Sequence, residues 1–113
     1  MKEIKAIVQP AMVSRVIASL KALPGLPGVT VSEVKGFGKS RAADATEKVV
    51  EDEIEYSKKV KLEIVVPENR VEEVLAAICA NAHTGQPGDG KIFVLSVDEV
   101  VKIRTGQRGE QAI

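Results

Sequence analysis

Val60-Lys-Leu-Glu-Ile-Val-Val66 is followed at once by Pro67. Val60, Leu62, Ile64 and Val66 fall on one face of an extended chain, so this run reads as a strand with one buried face. Pro67 ends it and Glu68 opens a helix. The apolar positions of that helix, Val71, Val74, Leu75, Ile78 and Ala82, recur at three and four and make a single stripe. Beyond His83 comes a glycine-dense turn, Thr84-Gly-Gln-Pro-Gly-Asp-Gly-Lys91. Residues 92–97 and then 100–104 read as strands, and the tail from Thr105 is irregular.

Upstream of Val60, residues 39–58 carry ten charges and no turn chemistry that would close a tight hairpin. They read as a long loop, a length that in so small a domain points to function or disorder. Residues 29–35 are β-branched and strand-like, ended by Gly36-Phe37-Gly38. Pro24-Gly25 and Pro27-Gly28 punctuate the chain before them. Val13, Val16, Ile17, Leu20 and Leu23 mark a helix whose start suits Pro10, and residues 2–9 read as the first strand. The order is β-α-β, long loop, β-α-β, with an extra short strand. It predicts an α+β, ferredoxin-like split βαβ fold, an antiparallel sheet with both helices on one face. The alternative, a small doubly wound sheet, needs longer crossovers and a parallel strand order.

The chain has 113 residues, a length that suits one domain over 1–113. Its mass predicts about 6,000 Å² of surface folded against about 17,500 Å² unfolded, enough burial for a core without staples. Sixteen basic residues balance sixteen acidic ones, which argues against a nucleic-acid arm or a polybasic membrane anchor. A single Cys excludes a disulfide framework or a Cys-rich zinc site. No signal-peptide pattern and no apolar run of membrane-spanning length are present, so a cytoplasmic location without membrane insertion is expected.

Three places could carry chemistry. Gly85 and Gly90-Lys91 satisfy the G-x-x-x-x-G-K spacing, in which backbone N–H groups and a lysine cradle phosphate. Ile92 stands where a P-loop has Ser or Thr, and this turn runs from helix into strand, so a P-loop NTPase is excluded. Lys102 and Arg104, two apart on a strand, would share a face as a polyphosphate clamp; the plain alternative is an edge strand protected by charge. Gly36 and Gly38 around Phe37 permit close backbone approach to a ligand, or mark an ordinary strand exit. His83 has no ligand partners at metal spacing. Cys79 reads as a small core hydrophobe. The acidic residues Asp44, Glu47, Glu51, Asp52, Glu53 and Glu55 read as a contact surface. One histidine assembles no nucleophilic triad.

Val-Ser-Glu-Val-Lys-Gly-Phe-Gly (31–38), Lys-Val-Lys-Leu-Glu-Ile-Val-Val-Pro (59–67), the 84–94 stretch and Arg-Thr-Gly (104–106) together resemble the PII nitrogen-regulatory signal-transduction proteins over essentially the whole chain. The resemblance implies a homotrimer of ferredoxin-like subunits that binds ATP or ADP in the clefts between neighbours. It also implies a non-enzymatic regulator whose T-loop, about 38–58, controls a target transporter or enzyme. Gly88, Asp89, Gly90 and Lys91 would hold the phosphates with Gly38. Lys102 and Arg104, in the C-terminal segment 102–113, would reach them from the subunit interface. Ile7, Glu63 and Ile64 would frame the adenine, with Gly28 and Thr30 from the neighbour. Gly36, Phe37, Lys39 and Ser40 complete the candidate site.

The sequence also departs from the family. Lys39-Ser40 replaces the usual Arg-Gln, whose glutamine helps hold Mg²⁺ and 2-oxoglutarate; Ser40 weakens the case for 2-oxoglutarate as an effector, while Mg²⁺ remains compatible with ATP. The uridylylated tyrosine of many members falls at Asp52 and the phosphorylated serine of others at Val50, so covalent modification is not expected. Tyr56, near the loop base, reads as aromatic packing. Lys102 replaces an arginine and loses its planar fork. Arg108-Gly-Glu110 resembles a divergent subgroup associated with metal efflux or other transport. Two other function classes compete with this reading: a weak ATPase using Lys91 and Arg104, and a trimeric metal-binding protein of related fold using the acidic loop.

Overall fold

The strand that opens the sequence reading is longer than its apolar alternation. The structure, a computed structural model, describes residues 1–37, 48–51 and 54–113. Seven elements carry it: β1 (Lys2–Val8), α1 (Val13–Lys21), β2 (Thr30–Gly36), β3 (Lys48–Glu51), β4 (Ile54–Val66), α2 (Val71–Ala82) and β5 (Gly90–Ser96). The sheet is antiparallel with order β2-β4-β1-β5, and β3 pairs with β4 off that path. This is the predicted ferredoxin-like arrangement.

The central pair sets Ile4 against Ile64, Ala6 against Leu62 and Val8 against Val60. All six are buried, so one face of the two strands is apolar throughout. The helices cover that face. Val16 and Leu20 of α1 and Val74 and Ile78 of α2 are buried, while Val13, Ile17, Leu23 and Leu75 pack at the margins. Both stripes match the predicted spacing. Each helix is entered through a proline and a short 3-10 turn, Pro10–Met12 and Glu68–Arg70. Here the fixed φ of proline suits a first turn that needs no amide donor.

Three expectations are corrected. First, residues 48–58 contain a hairpin, with β3 against the early half of β4. No apolar stripe announces it because polar cross-strand contacts do much of the pairing. Lys48 and Glu55 form an ion pair at 3.0 Å, and Lys35 of β2 pairs with Glu51. Lys35 Nζ also lies 5.4 Å from the ring centroid of Tyr56, whose ring is 5.9 Å from that of Phe37. The aromatic packing expected of Tyr56 is therefore present. Of the expected loop, residues 38–47, 52 and 53 lie outside the described residues.

Second, residues 100–104 are not a strand. Val101 makes an isolated antiparallel bridge to Arg108. The Lys102 N–H donates to the Gln107 carbonyl at 2.8 Å, and the Gly106 N–H to the Lys102 carbonyl at 2.7 Å. Lys102 and Arg104 thus lie on a tight hairpin, and the shared strand face expected for them is absent. Third, Cys79 is exposed on α2 and is not a core residue.

Leu62 is 1 % exposed between Ala6 and Val31. Replacing it with alanine leaves a cavity in the middle of the sheet, and Leu62→Ala should lower unfolding stability by about 2–5 kcal/mol in denaturant titrations.

Candidate functional site

The turn between α2 and β5 is closed by one carboxylate. Asp89 accepts the Thr84 N–H at 2.8 Å, the Gly85 N–H at 3.0 Å and, in a short contact, the Thr84 hydroxyl. The Thr84 hydroxyl bond is the largest cause holding the Asp89 carboxyl below its ordinary range. The two amides and the His83 charge act in the same direction, and partial desolvation opposes them. The side chain of Asp89 is therefore engaged within the turn, where it shapes the backbone.

Gly85, Gly88 and Gly90 have φ of +86°, +96° and +100°. Gly90 is the position where no other residue fits. It stands opposite Val8 in the β1–β5 ladder, and a Cβ there would lie 1.7 Å from the Ile7 carbonyl oxygen. The left-handed backbone and the close approach both demand glycine. This contact seats the turn on the end of β1 and delivers Lys91, exposed, opposite Ile7.

Strand register then arranges the face of the sheet away from the helices. Lys91, Ile7 and Lys61 form one row; Phe93, Lys5, Glu63 and Thr30 form the next. Lys61 and Glu63 pair at 3.5 Å. Two clefts collect half of the predicted residues. Ile7, Asp89, Gly90 and Lys91 line one of about 480 Å³ against α2. Gly28, Thr30, Glu63 and Ile64 line another of about 360 Å³. Gly28 and Thr30 were expected from a neighbouring subunit, yet within a single chain they already border the same cleft as Glu63. Gly36 ends β2 beside the hairpin and Phe37 follows it, and open space surrounds the Cβ position of Gly28 and of Gly36. Gly38, Lys39 and Ser40 lie outside the described residues. Lys102 and Arg104 line neither cleft; they flank Ile103, which is 99 % exposed.

Lys59 is a functional candidate that sequence reasoning missed. Its ammonium donates to the Gly88 carbonyl at 2.5 Å, tying β4 to the turn. Burial pushes its pKa below the ordinary lysine value, and the Asp89 charge partly restores it. The available signal was its place on the polar side of the β4 alternation, but nothing local to Lys59 points to a glycine 29 residues away.

The family model described as Nitrogen regulatory protein P-II matches residues 1–107. The chain belongs to the P-II family. It is 43% identical over 113 residues to the nitrogen regulatory protein P-II of Azospirillum brasilense and 42% identical to that of Pasteurella multocida, with all of each chain covered. A crystal structure of Arabidopsis thaliana PII bound to citrate matches with a TM-score of 0.79 and 42% identity, covering 99% of this chain and 91% of that one. P-II is a nitrogen-regulatory, signal-transduction family. No helix among the described residues is long and apolar enough to cross a membrane.

Gly90→Ala should destabilise the P-II fold by at least about 2 kcal/mol in denaturant titration and broaden or shift the amide resonances of residues 84–91. The Asp89 clamp also carries a pH signature. Because its folded pKa lies below the ordinary 3.8, its stabilisation is complete above that value and is lost as pH falls through the folded pKa. The Thr84 and Gly85 amide shifts should titrate with a midpoint below 3.8, and Asp89→Asn should abolish the transition.

Proposed function

We propose that this chain is the subunit of a homotrimer that binds ATP and ADP competitively in clefts between neighbours. The identity of the bound nucleotide is passed to a target protein through residues 38–58. The observation that carries this reading is the 84–91 turn. Its amides are held in left-handed geometry by Gly85, Gly88 and Gly90, its shape is locked by Asp89, and a free-standing cation follows at Lys91. The amides of Thr84, Gly85 and Gln86 already have acceptors inside the turn, so phosphate oxygens would be met by the glycine-rich backbone at 88–90 beside the lysine.

The trimer brings the second set of cations. Lys102 and Arg104 project on a hydrogen-bonded hairpin around the exposed Ile103, and Phe93, Val94 and Leu95 of the edge strand β5 are also exposed. Apolar surface of this kind favours a second copy of the chain as its cover. Mg²⁺ accompanies ATP as the counter-ion of its phosphates. A ligand shifts a conformation only by binding two states unequally. The γ-phosphate supplies that inequality, because it reaches the turn that Lys59 ties to β4, the strand leading out of the 38–58 segment. The target is a transporter or an enzyme with a basic docking surface; Glu51 and Glu55, although exposed, are each paired with a lysine of the chain, and would have to exchange that partner to take part.

Calorimetry with ATP, ADP and AMP, each with and without Mg²⁺ and 2-oxoglutarate, tests the reading. ATP and ADP should compete for one site per subunit, and Lys91→Ala should weaken ATP by about tenfold or more. Sedimentation should report a trimer that Ile103→Glu disrupts. A monomer that gives no heat with millimolar adenine nucleotides overturns the proposal.

A further inference from the structure

Beyond β5 the chain leaves the sheet and doubles back over residues 100–109. No residue from 97 to 111 is buried, so hydrogen bonds and not packing give this hairpin its shape. The Gly106 N–H and the Lys102 N–H close its tip, and the Gly109 N–H reaches back to the Val100 carbonyl at 3.0 Å to close its base. Gly106 and Gly109 have φ of +73° and +79°. A hairpin with freely turning glycines at both ends and no core beneath it needs a brace to hold one geometry.

One side chain supplies that brace. The Glu99 carboxylate accepts the Val100 N–H at 3.2 Å and the Gly109 N–H at 3.0 Å through the same oxygen. Its other oxygen lies 3.7 Å from the Arg108 guanidinium. The ion pair is exposed and contributes little. The amide bonds matter more, because a charged acceptor strengthens each and together they join the two legs of the hairpin at its base. Lys102 and Arg104 sit at the other end, two cations whose separation is set by whatever holds the legs.

We propose that Glu99 is a positioning residue for nucleotide binding: its carboxylate braces the 100–109 hairpin and so sets where Lys102 and Arg104 meet phosphate oxygens. The proposal rests on the nucleotide reading above and adds to it a residue outside every stretch quoted for the resemblance. Glu99 does not touch the ligand. Its own charge opposes an anion nearby, so a brace and a mere charge act with opposite sign, and the two roles separate on substitution.

Calorimetry with ATP compares wild type, Glu99→Ala and Glu99→Gln, and repeats Glu99→Ala in a Lys102→Ala/Arg104→Ala background; sedimentation follows the assembly of each. Glu99→Ala should weaken ATP by about fivefold. Glu99→Gln keeps an acceptor oxygen for both amides and should stay within about twofold of wild type. In the background lacking both cations, Glu99→Ala should cause no further loss, since the brace then has nothing to position. Unchanged or tighter ATP binding in Glu99→Ala overturns the proposal, as does an equal loss in Glu99→Gln. A loss that persists in the background without the cations, or a change of assembly in Glu99→Ala, marks a general anchor and overturns it as well. If Lys102→Ala/Arg104→Ala binds ATP like wild type, the hairpin has no part in the site and this inference falls while the phosphate turn stands. If wild type itself binds no ATP, the nucleotide reading fails and takes the inference with it.

Discussion

The antiparallel register between β1 and β4 is the constraint on which both the core and the candidate site depend. It places Ile4, Ala6 and Val8 against Ile64, Leu62 and Val60, and by the same pairing puts Lys5 against Glu63 and Ile7 against Lys61. Side chains alternate along a strand, so a slip of one residue would send the charged set under the helices and expose the apolar set. The energetic argument for the core is therefore also the positional argument for the site. Burial of one face fixes which polar groups line up on the other.

Where the sheet meets the turn, the controlling feature changes from burial to steric exclusion. The Ile7 carbonyl occupies the volume that any Cβ at position 90 would need. That contact fastens the end of β5 to the end of β1, and Asp89 closes the loop before it. Lys59 adds a third attachment, from β4 to the Gly88 carbonyl. The turn is thus held by three strands' worth of contacts although it lies on the surface. A rigid frame of this kind is what allows backbone amides to meet a ligand without first paying an ordering cost.

Much of this was legible in the sequence, for physical reasons that differ by element. The helices and β4 carry periodic apolar residues, and periodicity survives without knowledge of neighbours. Gly85, Gly90 and Lys91 stood out because conformational freedom beside a cation is a local signature. The β3–β4 hairpin was missed because no apolar stripe marks it: Lys48–Glu55 crosses between its strands, while Lys35–Glu51 and the Phe37–Tyr56 contact tie it to the end of β2. Val100–Arg104 misled in the opposite sense. Its residue types suit a strand, but Gly106 and the bond from its N–H to the Lys102 carbonyl fold it back on itself. Lys59 could not have been read locally, since its partner carbonyl lies far away in the chain. Asp89 was placed in the correct turn, although its carboxylate serves the loop's own amides.

The length of β4 has a mechanical consequence. Its thirteen residues span about 43 Å at a normal strand rise, with no hinge of their own. Lys59 stands five positions from the Ile54 end and seven from the Val66 end. The strand that meets the turn at Gly88 is thus the same unbroken strand that pairs with β3 in the hairpin, so the two surface features share one backbone.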